Sequence, residues 1–494
     1  MKNYKNKIAI IGSGFSSLSA ACYLAKEGHE VVMFEKNDSP GGRARKFKAD
    51  GFTFDMGPSW YWMPDVFDRF FKSFGKKTSD YYKLIRLDPS YKIYWGKDDV
   101  WDIPAKWNEL ENFFEKHEKG SASQLNAFMA EAAYKYEVGI NDLVYKPSLS
   151  LTEFLDLRLI KGIFKLDVFA SFSKHAKRFF KHPKLIELIE FPVLFLGATP
   201  ENTPALYSLM NYADMKLGTW YPKGGMFEIV DAMVKLAIEL GVKIHYNAEV
   251  KGFEYTNRKI SAVNVNGQQY QFDYVVAGAD YHHIDQIVLN KDKSNYDSNY
   301  WDKRVMAPSS IIYYLGINKK LNNLLHHNLF FDTDFKIHAK EIYDDPKWPN
   351  NPLFYVSCPS VTDNSVAPVN HENLFILIPV APGLQDTDEI KNKYFDLVIN
   401  RLENLTKQDI RKHIVYKKAY AHSNFIADYH SFKGNAYGLA NTLKQTAILK
   451  PSIKNKHIDN LYFTGQLTVP GPGVPPSIIS GEVVANQINK KIKV

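Results

Sequence analysis

A chain of 494 residues, 45% hydrophobic and 14% aromatic, exceeds what one hydrophobic core can serve and is expected to divide into two or three domains. Its formal charge of +8 is modest for that length and implies no nucleic acid, and two cysteines, Cys22 and Cys358, exclude a disulfide framework. No run approaches the ~18 apolar residues of a transmembrane helix, no signal peptide precedes the first apolar run, and the cysteines and histidines suggest no metal site, so a cytoplasmic chain is expected.

The apolar run Ile8-Ala9-Ile10-Ile11 predicts a strand, and Gly12-Ser13-Gly14-Phe15-Ser16-Ser17 predicts a glycine turn into a helix that contains Cys22. A second strand, Glu30 to Phe34, ends on Glu35, near the ~20-residue spacing of a ribose-binding acid. Strand, glycine turn, helix, strand and acid form the βαβ unit of an ADP-containing dinucleotide, whose pyrophosphate sits on the helix N-terminus. Ser17 stands where the pattern has a third glycine; it is small enough to keep helix and strand close. A paired glycine follows in Pro40-Gly41-Gly42-Arg43-Ala44-Arg45, where main chain can approach the pyrophosphate from its other side and an arginine offers a fork of donors.

Residues 65–119 mix short helices with alternating stretches such as Lys92-Ile93-Tyr94-Trp95, and from Ser121 to about Phe191 the period is helical. Within it, Arg158, Lys161, Lys165, Lys174, Lys177, Arg178, Lys181 and Lys184 interleave with large apolar residues. Such a stretch fits either a membrane interface or an amphipathic helix with a solvated lysine face. Phe227 to Leu240 predicts an amphipathic helix, followed by strands Val250 to Tyr255 and Ser261 to Val265 and a turn at Asn266-Gly267. The adjacent His282-His283 read as strand neighbours that point to opposite faces. The last segment is a short strand, Asn460 to Thr464, a glycine and proline loop, and a helix from Ser477 to Ile488 whose terminus directs donors and positive potential at an electron-rich group.

Several of these segments resemble the flavin-dependent amine oxidase and carotenoid desaturase superfamily, and most of all its bacterial-type phytoene desaturases. They are Pro40 to Arg45 with Gly51 to Trp60, Phe191 to Pro200, Thr203 to Tyr207, Gly218 to Met226, Val275 to Asp280, Gly434 to Gly438 and Asn460 to Pro476. The resemblance spans about Lys7 to Asn489. It implies an α/β fold with a discontinuous Rossmann-like FAD-binding domain (1–64, 227–308 and 456–494). It also implies substrate-side parts at 65–120 and 309–455, the second a mixed-sheet substrate domain, and a helical lid or membrane-contacting region at 121–226.

The cofactor implied is FAD. Its expected contacts are Gly12, Ser13, Gly14, Phe15 and Ser16 at the first turn, and Glu35 and Lys36 after the second strand. Gly41, Gly42 and Arg43, then Gly57, Pro58 and Ser59, follow from the second motif. Val250, Gly465, Gln466, Gly473, Val474 and Pro475 complete the set. The implied activity is desaturation of a C40 carotenoid, phytoene towards lycopene, by hydride transfer to flavin. Alternatives are a desaturase of a hydroxylated or partly desaturated carotenoid (the 3,4-desaturase type), a flavin-dependent polyene isomerase and a non-catalytic prenyl-carrying protein of the same fold. Peripheral membrane contact and an oxygen or quinone electron acceptor go with this reading. Phe191, Leu194, Phe195 and Trp220 are candidate tunnel residues. Glu153 and Asp156 are weighed as proton acceptors, and neither is assigned.

Overall fold

The computed structural model describes residues 5–154 and 170–493. Five parallel strands form its first sheet, in the order Leu461–Phe463, Tyr274–Ala277, Lys7–Ile11, Glu30–Phe34, Lys243–His245. Parallel strands covered on both faces read as continuous apolar runs, and Ile8, Ala9, Ile10, Val275 and Val276 are fully buried. One face carries the helices Phe15–Lys26, Phe227–Glu239 and Val474–Ile492. The first and last of these pack closely through Gly481, where a Cβ would stand 2.2 Å from the Ser16 carbonyl oxygen and 2.7 Å from Ala20 N. The other face buries Val32, Phe34 and Val275 against a three-stranded antiparallel sheet, Val250–Thr256, Lys259–Val265 and Gln268–Gln271.

The second sheet has seven strands in the order Ile414–Tyr420, Ser309–Ile317, Glu372–Val380, Phe354–Ser357, His327–Phe330, Tyr91–Gly96, Asp99–Ile103. All its pairs are antiparallel except His327–Phe330 with Tyr91–Gly96, which makes the sheet mixed. The helix Asp388–Thr406 covers its outer face through Tyr394, Val398, Ile399 and Leu402. Helices Ser121–Val138, Phe172–Phe179 and Pro183–Glu190 build the remaining apolar layer.

Two local expectations change. The final helix begins at Val474, three residues before the expected Ser477, because the fixed φ of Pro475 and Pro476 suits a first turn and their missing N–H groups would have no intrahelical partner there. His282 and His283 lie on a helical turn, Tyr281–His283, rather than a strand. The Asp280 side chain caps this turn by accepting from His283 N at 3.3 Å. His282 then stacks on Phe432 and His283 on His430, each with ring centres 3.9 Å apart.

Candidate functional site

The strand Lys7–Ile11 delivers the chain into a turn held by one carboxylate. Glu35 Oε2 accepts from Ser13 N at 2.9 Å and Ser13 Oγ at 2.7 Å, and its Oε1 accepts from Asn37 N and Nδ2, both at 2.9 Å. The acid at the end of the second strand therefore fixes the shape of the glycine turn as well as standing at the cavity wall. Gly14 is the N-cap of the helix Phe15–Lys26, which has neither a side-chain cap nor an acid in its first turn. The free N–H groups and positive end of this helix face open space. A Cβ built on Gly14 would meet nothing within 4 Å.

The second glycine pair closes on the first. Gly41 N donates to the Ser13 carbonyl at 3.0 Å, and a Cβ on Gly42 would lie 3.4 Å from Gly14 Cα. The two motifs are thus the two walls of one cradle. Arg43 is anchored by Nη2 donating to Ser431 Oγ at 2.9 Å, with its guanidinium 5.3 Å over the Tyr429 ring. Its Nε is buried and unpaired, a donor left for a ligand. Asp280 is pushed up to about 6, chiefly by burial, against the opposing pull of Arg43.

The third glycine of the pattern has moved across the interface. A Cβ on Gly278, at the end of the strand Tyr274–Ala277, would fall 1.9 Å from Ser17 Oγ. The serine on the helix is accommodated by a glycine on the neighbouring strand. At the far end, Gly473 caps the helix Val474–Ile492. This terminus is the one expected to direct donors and positive potential at an electron-rich group. Pro475 and Pro476 have no N–H and Ser477 N is bonded to the Gly473 carbonyl, so Val474 N and the helix dipole are what it offers.

All nineteen residues expected at the cofactor line one cavity of about 470 Å³, including Lys36, Val250, Gly465 and Gln466. Lys36 Nζ is held by the Ala427 carbonyl at 2.7 Å, and Glu249, beside Val250, by His430 Nε2 at 3.0 Å. The open cradle at Gly14, the bare helix terminus and the unpaired Arg43 Nε fit the pyrophosphate of a dinucleotide.

The same cavity continues into an apolar chamber walled by Trp60, Trp62, Met63, Ile140, Val144 and Leu209, with Ile312, Tyr355 and Leu377 from the seven-stranded sheet. Apart from Trp60, which ends the Gly51 to Trp60 segment, these residues carried no signal of their own in the sequence, because Ile, Leu and Tyr at strand positions look the same whether they face a core or a chamber. Phe191 and Trp220 do not line it. Phe191 sits behind the wall with its ring centre 6.2 Å from Trp60 and 6.4 Å from Trp62. Trp220 is turned away by Nε1 donating to the Leu217 carbonyl at 2.9 Å and by Arg86 across its ring. The side chains of Leu194 and Phe195 lie outside the described residues.

Glu153 accepts from Ser148 N, Leu149 N and Ser150 N at 2.8, 2.9 and 3.1 Å, so it shapes a turn and is no free base. Asp156 and the part of the basic stretch from Arg158 to Phe169 lie outside the described residues. In the described part, Phe172 and Phe180 are buried, Phe179 packs on Phe128, and Lys174, Lys177, Arg178 and Lys181 face solvent. No described helix is long and apolar enough to cross a membrane.

The family described as flavin containing amine oxidoreductase matches residues 15–489. A carotenoid 3,4-desaturase of Haloarcula japonica is 41% identical over 486 residues, covering 98% of each chain. A zeta-carotene-forming phytoene desaturase of Myxococcus xanthus is 30% identical over 98% of this chain and 93% of that one. Among solved structures, an oxidoreductase from Methanosarcina mazei has a TM-score of 0.64 at 16% identity, over 97% of this chain and 100% of that one. A fatty acid isomerase from P. acnes has a TM-score of 0.60 at 14% identity, over 99% of each chain. At those identities the structural likeness is one of fold.

Proposed function

Because the chain belongs to the flavin containing amine oxidoreductase family, an FAD-dependent oxidoreductase acting on carbon–carbon bonds, we propose that it desaturates a carotenoid in carotenoid biosynthesis. The observation that supports this most is the continuity of one cavity, a glycine cradle at one end and an aromatic, aliphatic chamber at the other. A long hydrocarbon offers no hydrogen bonds for recognition, and a chamber of this lining binds it by removing apolar surface from water.

Bound FAD supplies a two-electron, hydride-accepting ring. In this reading Gly12 to Ser16, Gly41 to Arg43 and Glu35 hold its dinucleotide, and Gly57 to Ser59, Gly465, Gln466 and Gly473 to Pro475 surround the remainder. Trp60, Trp62, Met63 and Leu209 align the hydrocarbon and keep water out.

For the substrate, we favour a hydroxylated or partly desaturated C40 carotenoid, the 3,4-desaturase type, on the 41% identity to such an enzyme. Phytoene is the second reading, on the 30% identity to a phytoene desaturase. The exposed Lys174, Lys177, Arg178 and Lys181 suit docking on an anionic membrane from which so apolar a substrate arrives. Pigment analysis decides between the substrates. Cells that make phytoene, lycopene or a hydroxylated derivative and express this chain should yield products lighter by two hydrogens per step from the derivative or from lycopene. Lighter products from phytoene would favour the second reading, and unchanged mass in all three cultures, with FAD bound, would refute desaturation.

A further inference from the structure

Desaturation as proposed above removes a hydride and a proton from neighbouring carbons, and the proton needs an acceptor. The carboxylates on the cavity wall, and Lys36, are engaged around the cradle: Glu35 by Ser13 and Asn37, Asp280 by the N–H groups of His283 and Phe432, Lys36 by the Ala427 carbonyl, Glu249 by His430 and Asp428 by Arg45. In the chamber, the ionisable side chains among the described residues are the tyrosines Tyr207, Tyr355 and Tyr437. Behind Tyr355 stands a base.

We propose that Tyr355 is the catalytic residue that takes the substrate proton, and that His327 behind it receives the proton Tyr355 gives up. The two side chains project from neighbouring antiparallel strands. His327 pairs with Ser357, and Tyr355, two residues along, presents its hydroxyl on the same face. The Tyr355 hydroxyl lies 2.6 Å from His327 Nδ1. At that distance the tyrosine O–H and the ring nitrogen can share one proton, with Nδ1 accepting in the tautomer the relay uses. The imidazole is held flat against Trp60, ring centres 4.1 Å apart at 11°, and Trp60 itself lines the chamber.

The step balances without an added reagent. Bound FAD would accept the hydride of one carbon; the C–H bond on the neighbouring carbon breaks and its electron pair becomes the new π bond. The proton forms the Tyr355 O–H while the previous hydroxyl proton crosses to His327 Nδ1. The imidazolium so formed lies within cation–π range of the Trp60 face. Burial, and the neighbouring His326 to a lesser extent, hold His327 well below the ordinary imidazole value, so it is neutral at pH 7 and readily gives up again a proton it receives. His326 is itself bonded to Thr362 Oγ1 at 2.9 Å and is lowered by burial to about 3, with Asp363 pulling the other way.

This inference rests on the desaturase reading, and the test separates the two. Wild-type holoenzyme, Tyr355→Phe and His327→Gln are compared for FAD content, carotenoid binding and desaturation of a carotenoid deuterated at the carbon that loses the proton. Expected are unchanged FAD content and binding in both variants, desaturation slower by about 10²–10⁴-fold, and a larger isotope effect than in the wild type. Variants that keep the wild-type rate, or that slow with an unchanged isotope effect, would overturn the pair while leaving the desaturase reading intact. A wild-type holoenzyme that desaturates no carotenoid would overturn both.

Discussion

Gly14 offers a test in which the protein and the cofactor respond differently to one atom. Its φ of −72° and ψ of 175° are ordinary extended backbone, and its added Cβ would touch no atom of the chain. Gly14→Ala therefore costs the fold nothing by contact, and where the backbone is compatible it can add about 0.4–1 kcal/mol by restricting the unfolded chain. The open space over Gly14 is where the pyrophosphate is proposed to lie, and overfilling a packed contact costs roughly 1–3 kcal/mol. At about 1.4 kcal/mol per tenfold, that is about a 5- to 150-fold loss of FAD affinity for alanine, with more for valine. The assay is titration of apoprotein with FAD by flavin fluorescence, beside thermal melts of the same apoproteins. An apo Tm at or above wild type with weakened FAD binding is expected. Wild-type FAD affinity in Gly14→Val would refute the placement of the pyrophosphate, and an unfolded Gly14→Ala apoprotein would refute the claim that the space belongs to the cofactor.

Lys450 is buried with an unpaired Nζ, and burial lowers it from 10.5 to about 7. The unfolded chain binds more protons between those values, so this group makes stability rise with pH from about 7 to 10.5, by up to roughly 5 kcal/mol in all. In Lys450→Met that rise should be missing from urea melts of the apoprotein, and equal pH slopes in variant and wild type would refute it. The triple change of Lys174, Lys177 and Lys181 to Glu should lower sedimentation with anionic liposomes and leave FAD content unchanged. Equal sedimentation would assign those lysines to a solvated face.

The cradle could be read in the chain because its parts are short, local and chemically singular. Gly12 to Ser17, Glu35 and Gly41 to Arg43 stand at spacings that one βαβ unit dictates, and a glycine signals a space that no other residue leaves open. The ADP-containing dinucleotide followed from those segments, and FAD and the family from the wider resemblance between about Lys7 and Asn489. Even the missing third glycine could be seen as a departure, although the residue that compensates for Ser17, Gly278, lies over 260 positions away and is found only once the strands are paired.

The chamber is the opposite case. Its residues are common core types contributed by distant elements, and only packing separates Trp60, which faces the cavity, from Phe191, which stands one layer behind it. The proton acceptor is of the same kind. Tyr355 and His327 meet because two strands align in one register, a contact that depends on a long-range pairing and leaves no local periodicity to read. The amino-acid sequence by itself thus determined the family, the dinucleotide cradle and the class of cofactor, which depend on backbone shape within a few turns of chain. The tertiary structure decided which apolar side chains face the cavity and which two polar groups meet at its wall, since both depend on surfaces brought together from opposite ends of the molecule.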